Sequence, residues 1–360
     1  MRSANLRHGV EWTIGGAALV FAILAPALVS TPIMSAYFVG TILTQAFFLG
    51  IAASSLIFLS AYGGMVSLAQ VAIFGIAGFA LGNAVTNGNS KGLNLGWNPW
   101  WALLLGIVVA TLVAFLLGAL ASRSAGIYFL MITLTYAVIA NTFFGANLSL
   151  SGFGGISGIK APGLIGDVNA HPNRLYYVAL GAAVVVYAAL RYLVRTPFGL
   201  ALQGVRDDPV RMGSLGYNVA VHRTMAFGVA GFVAGLGGVL FVWWNGHIDP
   251  ASINIGAAID LLVICVIGGL YRLEGAWVGA IAFVVIQNYV RTDDLPVVGG
   301  TFHTLIGVLF LLIVLVSPGG LMGIWDSLIR RVTGPRLEAT PAPTQALADP
   351  GSGAAGRTDG

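Results

Sequence analysis

The sequence contains few charged residues and a single cysteine. Charged side chains make up 8% of the 360 residues, whereas 57% are hydrophobic; a soluble domain carries about a quarter charged residues. With Cys265 alone, intrachain disulfides and cysteine-rich metal sites are excluded. The net charge of +4 is small and not gathered in one block, so we expect no nucleic-acid partner. This composition predicts a membrane protein.

Several enzyme motifs are also missing. The chain has no Gly-x-x-x-x-Gly-Lys-Ser/Thr, and its only lysines, Lys91 and Lys160, lack that setting. It has neither His-Glu-x-x-His nor Gly-x-Ser-x-Gly. We therefore predict no catalytic residues, no metal site and no ATP hydrolysis in this chain. Asp260 is the one acidic residue inside an apolar run, whereas ion-coupled carriers usually have several ionisable residues within the membrane. Because sodium sites can be built from carbonyls alone, a stand-alone ion-coupled carrier remains an alternative.

The apolar runs predict an all-α polytopic fold. A membrane span needs about 20 apolar residues. The ten predicted spans are 12–30, 38–62, 68–86, 99–121, 126–145, 174–193, 223–245, 255–271, 275–290 and 302–317. Five spans per half would give two inverted halves, although no internal sequence match supports that arrangement.

The basic residues predict the orientation of the spans. With a cytoplasmic N-terminus, 13 of the 17 Lys and Arg residues fall on the cytoplasmic side, as the positive-inside rule requires. This places both termini of the transmembrane domain, 1–334 with its tail 335–360, in the cytoplasm. The tail is rich in Pro, Ala, Gly and Thr and is predicted to be disordered. Cleavage of the first run as a signal at Ala25-Pro26-Ala27 is the alternative, but the run is long and proline is unfavourable there.

The segment 195–222 is the most charged stretch between two apolar runs. Asp208 and Pro209 predict a helix start, and Gly216 predicts its end. The expected helix has about two turns and carries Arg206, Asp207 and Arg211. Beside these charges lie the apolar Val210, Met212 and Leu215. Either another protein docks here, or the segment is a solvated loop with positive-inside charges.

Polar groups next to apolar runs give a second set of candidates. In Gly63–Gln70, adjacent glycines precede Ser67 and Gln70, which is typical either of a broken segment beside a solute path or of a turn at the interface. Thr133 and Thr135 lie within a span, where hydroxyls can bond back to the helix. Asp260 either borders a cavity or reaches the outer interface. The glycine-rich loop at about 146–173 either binds a partner or only connects two spans.

Four stretches in this order resemble one family, the membrane subunits of branched-chain amino acid ABC importers of the LivM type. The resemblance covers about residues 37–320. It is carried by Gly63–Gln70 with Phe74–Gly78, Arg123–Phe129 with Ile132–Leu134, Thr196–Gly216, and Ile267–Leu270 with Glu274–Ala280. Leu200, Gln203-Gly204-Val205, Tyr271-Arg272-Leu273 and Ala276 depart from the family pattern and loosen any inference about the solute.

The resemblance implies a permease in a bacterial inner membrane that translocates branched-chain or similar amino acids. Its implied partners are two ABC ATPase subunits that carry ATP and Mg²⁺, a second permease subunit, and a periplasmic or lipid-anchored solute-binding protein. The implied ATPase-coupling residues are Arg206, Asp207, Asp208, Pro209, Arg211 and Gly216. The candidates for the translocation path are Gly63, Gly64, Ser67, Gln70, Thr133, Thr135, Asp260, Gly268 and Gly269. Import of urea or short amides, a stand-alone carrier, and a purely structural membrane protein remain as alternatives.

Overall fold

The computed structural model describes most of the helical part of the chain. The described residues are 20–26, 38–87, 92–163, 165–166, 172–291, 307–308, 310–312, 315, 317 and 319–324. Much of the predicted spans 12–30 and 302–317, and the whole tail 335–360, lie outside these residues. Within the first of these spans, residues 20–26 are helical.

The described residues are mostly helical, and a π-helical turn, Phe38–Leu43, leads into the first long helix. The helices are α1 (Thr44–Gly63), α2 (Gln70–Val85), α3 (Pro99–Ala121), α4 (Gly126–Ala146), α5 (Pro172–Arg195), α6 (Pro197–Asp207), α7 (Pro209–Ser214), α8 (Val219–Asn245), α9 (Ile255–Gly268) and α10 (Gly275–Arg291), with a 3₁₀ turn at Pro250–Ile253 before α9.

Five described helices are long and apolar enough to cross a membrane. They are α1 with its π turn, α3, α4, α5 and α8. The helices α2, α9 and α10 are apolar but shorter. The helices of the eight predicted spans from 38–62 to 275–290 are therefore present, and the largest differences are at 223–245, where α8 begins at Val219, and at 255–271, where α9 ends at Gly268. The chain is a multi-pass membrane protein, and the count of ten spans stays a prediction.

Asparagine caps and glycines set several of these helix ends. The side chains of Asn98, Asn218 and Asn254 accept hydrogen bonds from the first amides of α3, α8 and α9, which satisfies amides that a helix start leaves without partners. Gly64 and Gly246 follow α1 and α8 in the left-handed conformation, with φ of 66° and 64°. Glycine adopts this conformation without steric cost, which is why both helices stop there.

The helices α1 and α8 form the centre of the bundle. Of their most apolar windows, 83% and 72% of the residues are buried, against 22% for α3. Small residues allow the close approach: Gly238 of α8 lies against the backbone of Phe74 in α2, and Gly231 against Ala114 in α3. Because lipid removes most of the hydrophobic drive between helices, such contacts supply the packing energy.

The predicted long loop at about 146–173 is docked where it is described. Ile156–Ser157 (β1) pairs antiparallel with His247–Ile248 (β2), the one ladder in the described residues. Ile156 is 1% exposed, and a Cβ on Gly155 would overlap the carbonyl oxygen of Ile248. This part of the loop is therefore not a loose connector.

The helix ends fall into two groups. The end of α1, the end of α5 and the start of α8 lie beside α6 or α7, and we call this side the α6–α7 end; the connection between α3 and α4 reaches the same side. Arg223 of α8, for example, donates to the carbonyls of Ser122 and Ser124 between α3 and α4. The β ladder and the start of α9 lie at the opposite end.

Candidate functional site

The segment predicted to hold one coupling helix forms two helices, α6 and α7. Thr196 caps α6, with its hydroxyl accepting from Gly199 N at 3.4 Å, and Pro197 is the first helical residue. Asp208 is extended at φ −150° and ψ 90°, so it ends α6 and begins α7. Its carboxylate accepts from Arg211 N at 2.9 Å, as the Asp208-Pro209 pattern predicts.

The predicted helix is present as Pro209–Ser214, with Asp208 as its cap and Gly216 after it at φ 89°. The prediction is wrong about which charged residues this helix carries. Arg206 and Asp207 do not belong to it but are the last residues of α6. The break occurs because Pro209 has no amide hydrogen to continue α6 and disfavours helical geometry at the residue before it.

One face of α6 is buried against the end of α1. Leu202 and Val205 are both 0% exposed, and Leu202 lies 3.8 Å from the position of a Cβ on Gly63. The helix α7 folds back on α6, and the sulfur of Met212 packs directly against Gly204. A Cβ at Gly204 would lie only 2.8 Å from this sulfur, so the close contact needs a glycine. The α6–α7 hairpin is therefore one packed unit that rests on α1.

Arg206 fastens this hairpin to the end of α1. Its Nη1 donates to the carbonyl of Ala61 in the last turn of α1. A Cβ on Gly64 would lie only 2.7 Å from the Cγ of Arg206, so the arginine stem packs directly on this glycine. The Nε of Arg206 donates to Asp207 Oδ1 at 2.8 Å. The guanidinium thus satisfies a carbonyl that the helix end leaves without a partner, and it faces the chain's own bundle.

The tip of the hairpin exposes apolar side chains beside a cation. Val210 is 77% and Leu215 67% exposed, and the side chain of Arg211 is 80% exposed with a distant partner, Asp208, at 4.0 Å. Exposed aliphatic residues next to a largely exposed guanidinium are typical of a protein contact surface. We call Val210, Arg211 and Leu215 the α7 tip.

The α1–α2 connection, Gly64–Ala69, does not simply turn at the α6–α7 end. Leu68 N donates to Thr133 Oγ1 at 3.2 Å, and Gln70 Oε1 accepts from Ser55 Oγ at 3.2 Å. Ser55 lies eight residues before the end of α1, a distance of about 12 Å at the α-helical rise. The chain therefore returns into the bundle before α2 begins, which favours the broken segment over the interfacial turn and explains why α2 is short.

This return buries a cluster of polar side chains. Ser55, Ser67, Gln70 and Thr133 are each 0% exposed. Ser67 Oγ accepts from Ala69 N at 3.3 Å, and Thr133 Oγ1 donates to Leu130 O at 3.0 Å, the back-bond to the helix that the sequence predicts. Buried polar groups are costly unless bonded, so a cluster at this depth is a candidate functional site. We call these four residues the buried polar cluster.

The remaining path candidates lie elsewhere. Thr135 is exposed on α4, and its hydroxyl donates to Met131 O at 3.0 Å. Asp260 is half-buried in the second turn of α9. Gly268 and Gly269 lie at the turn into α10, where a Cβ on Gly268 would overlap the carbonyl oxygen of Gly275. The geometry thus gathers Gly63, Gly64, Ser67, Gln70 and Thr133 into one region and leaves these four outside it.

One charged group at the α6–α7 end was not anticipated from the sequence. Glu274 accepts from Tyr187 Oη at 2.8 Å and from Arg191 Nη1 at 2.5 Å, and Arg272 Nε lies 3.8 Å from it. These contacts join α5 to the start of α10. The one feature of the sequence that indicates these contacts is charge. Glu274 is an isolated acidic residue close to Arg272, in a loop predicted to lie on the cytoplasmic side together with Arg191.

Comparison with known proteins agrees with this architecture. A family profile described as the permease component of branched-chain amino acid transport systems matches residues 38–316. The high-affinity branched-chain amino acid transport permease LivM of Salmonella typhimurium is 27% identical over 252 residues, 63% of this chain and 59% of that protein. A probable LivM of Methanocaldococcus jannaschii is 24% identical over 296 residues, 75% of this chain and 84% of that protein.

A second kind of relative also matches. The autoinducer 2 import permease LsrC of Salmonella paratyphi B is 30% identical over 184 residues, 49% of this chain and 52% of that protein. The matched part of this chain spans 59% of the length of the LivM proteins of Salmonella typhimurium and Escherichia coli. Because the family profile covers most of the chain, from Phe38 through the buried polar cluster and the α6–α7 hairpin to Val316, the chain belongs to the family of branched-chain amino acid transport permease components.

Proposed function

We propose that this chain is a permease subunit of an ABC importer for branched-chain or similar amino acids, in the inner membrane of a bacterium with both termini in the cytoplasm. Separate ATPase subunits, holding ATP and Mg²⁺, drive it through the α6–α7 hairpin. A second permease subunit completes the path, and an external binding protein, periplasmic or lipid-anchored, delivers the solute.

The observation that carries this proposal is the packing of the α6–α7 hairpin. Its tip presents Val210 and Leu215 outward, while Arg206 holds its base against the carbonyl of Ala61. Force applied at the tip therefore reaches the end of α1 as a rigid-body displacement. Asp207, Asp208, Pro209 and Gly216 shape the hairpin, and Arg211 is available for charged contact with the ATPase.

A charge reversal at the tip tests the coupling. In the assembled complex we expect Arg211→Glu or Leu215→Asp to leave membrane insertion intact and to lower solute-stimulated ATP hydrolysis about tenfold or more, the range found for hot-spot residues. Arg123→Glu is the matched control, because Arg123 is exposed between α3 and α4 and lies outside the hairpin. If stimulated hydrolysis survives both tip changes, the hairpin does not couple to an ATPase.

The solute is tested separately. The binding protein, loaded in turn with leucine, isoleucine, valine, urea or acetamide, is added to the complex, and ATP hydrolysis is measured. We expect stimulation by the branched-chain amino acids. Stimulation by urea or acetamide alone would favour the amide importers, and uptake by the isolated chain in an ion gradient would favour a stand-alone carrier.

A second solute class has one observation in its favour. The LsrC proteins, named as autoinducer 2 import permeases, match 48% or 49% of this chain at 29% or 30% identity. Autoinducer 2 therefore belongs in the same panel, and stimulation by it without stimulation by leucine would replace amino acids as the proposed cargo.

A further inference from the structure

Gln70 carries a buried amide nitrogen that has no partner. Its Oε1 accepts from Ser55 Oγ at 3.2 Å, but its Nε2 has no acceptor although the residue is 0% exposed. A buried donor left without an acceptor costs about 1–3 kcal/mol. Two N–H bonds in the middle of the bundle thus lack an acceptor.

The start of α2 adds further donors at the same place. Ala69, the residue before α2, provides no side-chain cap, so the first amides of the helix have no intrahelical partner. Ser67 Oγ accepts from Ala69 N, which leaves its hydroxyl proton available to donate. Gln70 is the first residue of α2, and helical side chains lean toward the helix N-terminus, so its side chain lies at the same end of the helix as these amides.

No oxygen of the buried polar cluster accepts a hydrogen bond from Gln70 Nε2. Thr133 Oγ1 accepts from Leu68 N and donates to Leu130 O. Ser55 Oγ has a single proton, for which Ala52 O at 2.6 Å is the nearer acceptor and Gln70 Oε1 at 3.2 Å the more distant one. What remains unused is a set of donors at the positive end of a helix dipole, which favours an anionic acceptor. None of the four side chains is ionisable, so the cluster has no anion of its own.

We propose that the N-terminus of α2, with Gln70 Nε2 and the Ser67 hydroxyl, is a subsite for the carboxylate of the transported solute. A carboxylate offers only acceptors and one negative charge, which matches donors in this number and sign. The subsite rests on the proposed function, since it assumes an amino acid as cargo. In the present conformation the cluster is closed, and the carboxylate enters when the α1–α2 connection moves with Arg206 and Gly64.

The test uses the complete complex in proteoliposomes, with the binding protein and L-leucine as the probe. Uptake and ATP hydrolysis are measured together for Gln70→Met and Gln70→Glu, two changes of similar shape. Gln45→Met is the matched control, because Gln45 Nε2 donates to Gln287 Oε1 at 3.1 Å and lies outside the cluster. Each measurement is made at about pH 8 and about pH 5.5, since burial raises the pKa of a carboxyl into this range.

Loss of a hydrogen bond to a charged group predicts the size of the effect. We expect Gln70→Met to lower leucine taken up per ATP about tenfold, while ATP hydrolysis remains stimulated and Gln45→Met stays within about twofold of the unchanged chain. For Gln70→Glu we expect a larger fall in leucine uptake per ATP at about pH 8, because the introduced carboxylate repels that of leucine. At about pH 5.5 this ratio should recover, because the protonated carboxyl donates a hydrogen bond again.

Three results would overturn the subsite. The first is a ratio of leucine uptake to ATP hydrolysis in Gln70→Met that stays within about twofold of the ratio in the unchanged complex. This result alone tests the subsite if the Gln70→Glu complex does not assemble. The second is a Gln70→Glu complex that is no worse than Gln70→Met at high pH and does not respond to pH. The third, no ATP-dependent leucine uptake by the unchanged complex, removes the proposed function itself and is therefore distinguishable from the other two.

Discussion

Arg206 links the α6–α7 hairpin to the end of α1, although its position in the sequence suggests a residue that meets a partner protein. Its side chain is 38% exposed, whereas that of Arg211, five residues later, is 80% exposed. We therefore propose different roles for the two arginines: Arg211 contacts the ATPase, and Arg206 transmits the resulting displacement to Ala61 and Gly64. A helix-end carbonyl bonded by a cation is also favourable for the helix dipole.

Replacing Arg206 by methionine separates transmission from docking. Arg206→Met keeps much of the aliphatic stem against Gly64 but removes the charged hydrogen bond to Ala61, worth about 1.5–3 kcal/mol. We expect solute-stimulated ATP hydrolysis to fall about tenfold while the ATPase subunits still co-purify. Arg123→Met, at an exposed site, should stay within about twofold. Loss of co-purification in Arg206→Met would instead mean that Arg206 itself contacts the ATPase.

The helices α9 and α10 meet through glycines rather than through interlocking side chains. A Cβ on Gly268 would overlap the carbonyl oxygen of Gly275, and one on Gly279 would overlap that of Ile264. Backbone oxygens cannot rotate away as a flexible side chain can. Gly268, a path candidate from its motif, therefore serves the packing of this helix pair in the described structure.

Alanine substitutions measure that packing. We expect Gly268→Ala and Gly279→Ala each to lower the free energy of unfolding by about 2 kcal/mol or more, because overpacking forces the backbones apart. Gly181→Ala in α5 is the control, since nothing lies within 4 Å of its added Cβ; it should be neutral or stabilise by up to about 1 kcal/mol. Thermal unfolding of the purified chain gives the comparison, and equal stability of all three variants would contradict the close packing.

The sequence predicts the helices better than the site. Apolar runs bounded by Asn98-Pro99 and by Gly126 place α3 and α4 within a residue of their observed ends. The helix α6 is not predicted, although Thr196-Pro197 carries the same start signal as Asp208-Pro209. The prediction rests on the charged residues around Asp208, and the stretch after Pro197 has no charged residue before Arg206.

The depth of the buried polar cluster has no local signal. Gly63-Gly64 predicts a break in the helix, but whether the chain then stays at the interface or returns into the bundle depends on contacts with Ser55 in α1 and Thr133 in α4. Both partners are distant in the sequence and are known only once the helices are packed. The inward direction of Arg206 is hidden for the same reason.

The molecule as a whole is arranged between two ends, and its orientation in the membrane is set by charge. The predicted cytoplasmic segments contain 13 of its 17 basic residues. They include the segment that forms the α6–α7 hairpin, while Lys160 lies in the loop beside the β ladder at the opposite end. In the proposed topology, Leu215 and Lys160 therefore face different compartments.

Thiol labelling tests this orientation. The one native cysteine, Cys265, is 0% exposed, so a membrane-impermeant maleimide should report only on introduced thiols. We expect the Lys160→Cys variant to be labelled in right-side-out vesicles and the Leu215→Cys variant only in inverted ones. Labelling of both from one side would place the hairpin and the β ladder in the same compartment and refute the topology.

In the proposed mechanism, the bundle moves its solute only when separate ATPases act on the α6–α7 hairpin. The most direct measurement is L-[³H]leucine uptake into proteoliposomes that hold either this chain alone or the full complex with its binding protein, with and without ATP inside. We predict uptake by the full complex with ATP and no uptake above background in the other three cases. Leucine uptake by the chain alone, with or without ATP, would contradict transport driven by ATPases through the α6–α7 hairpin.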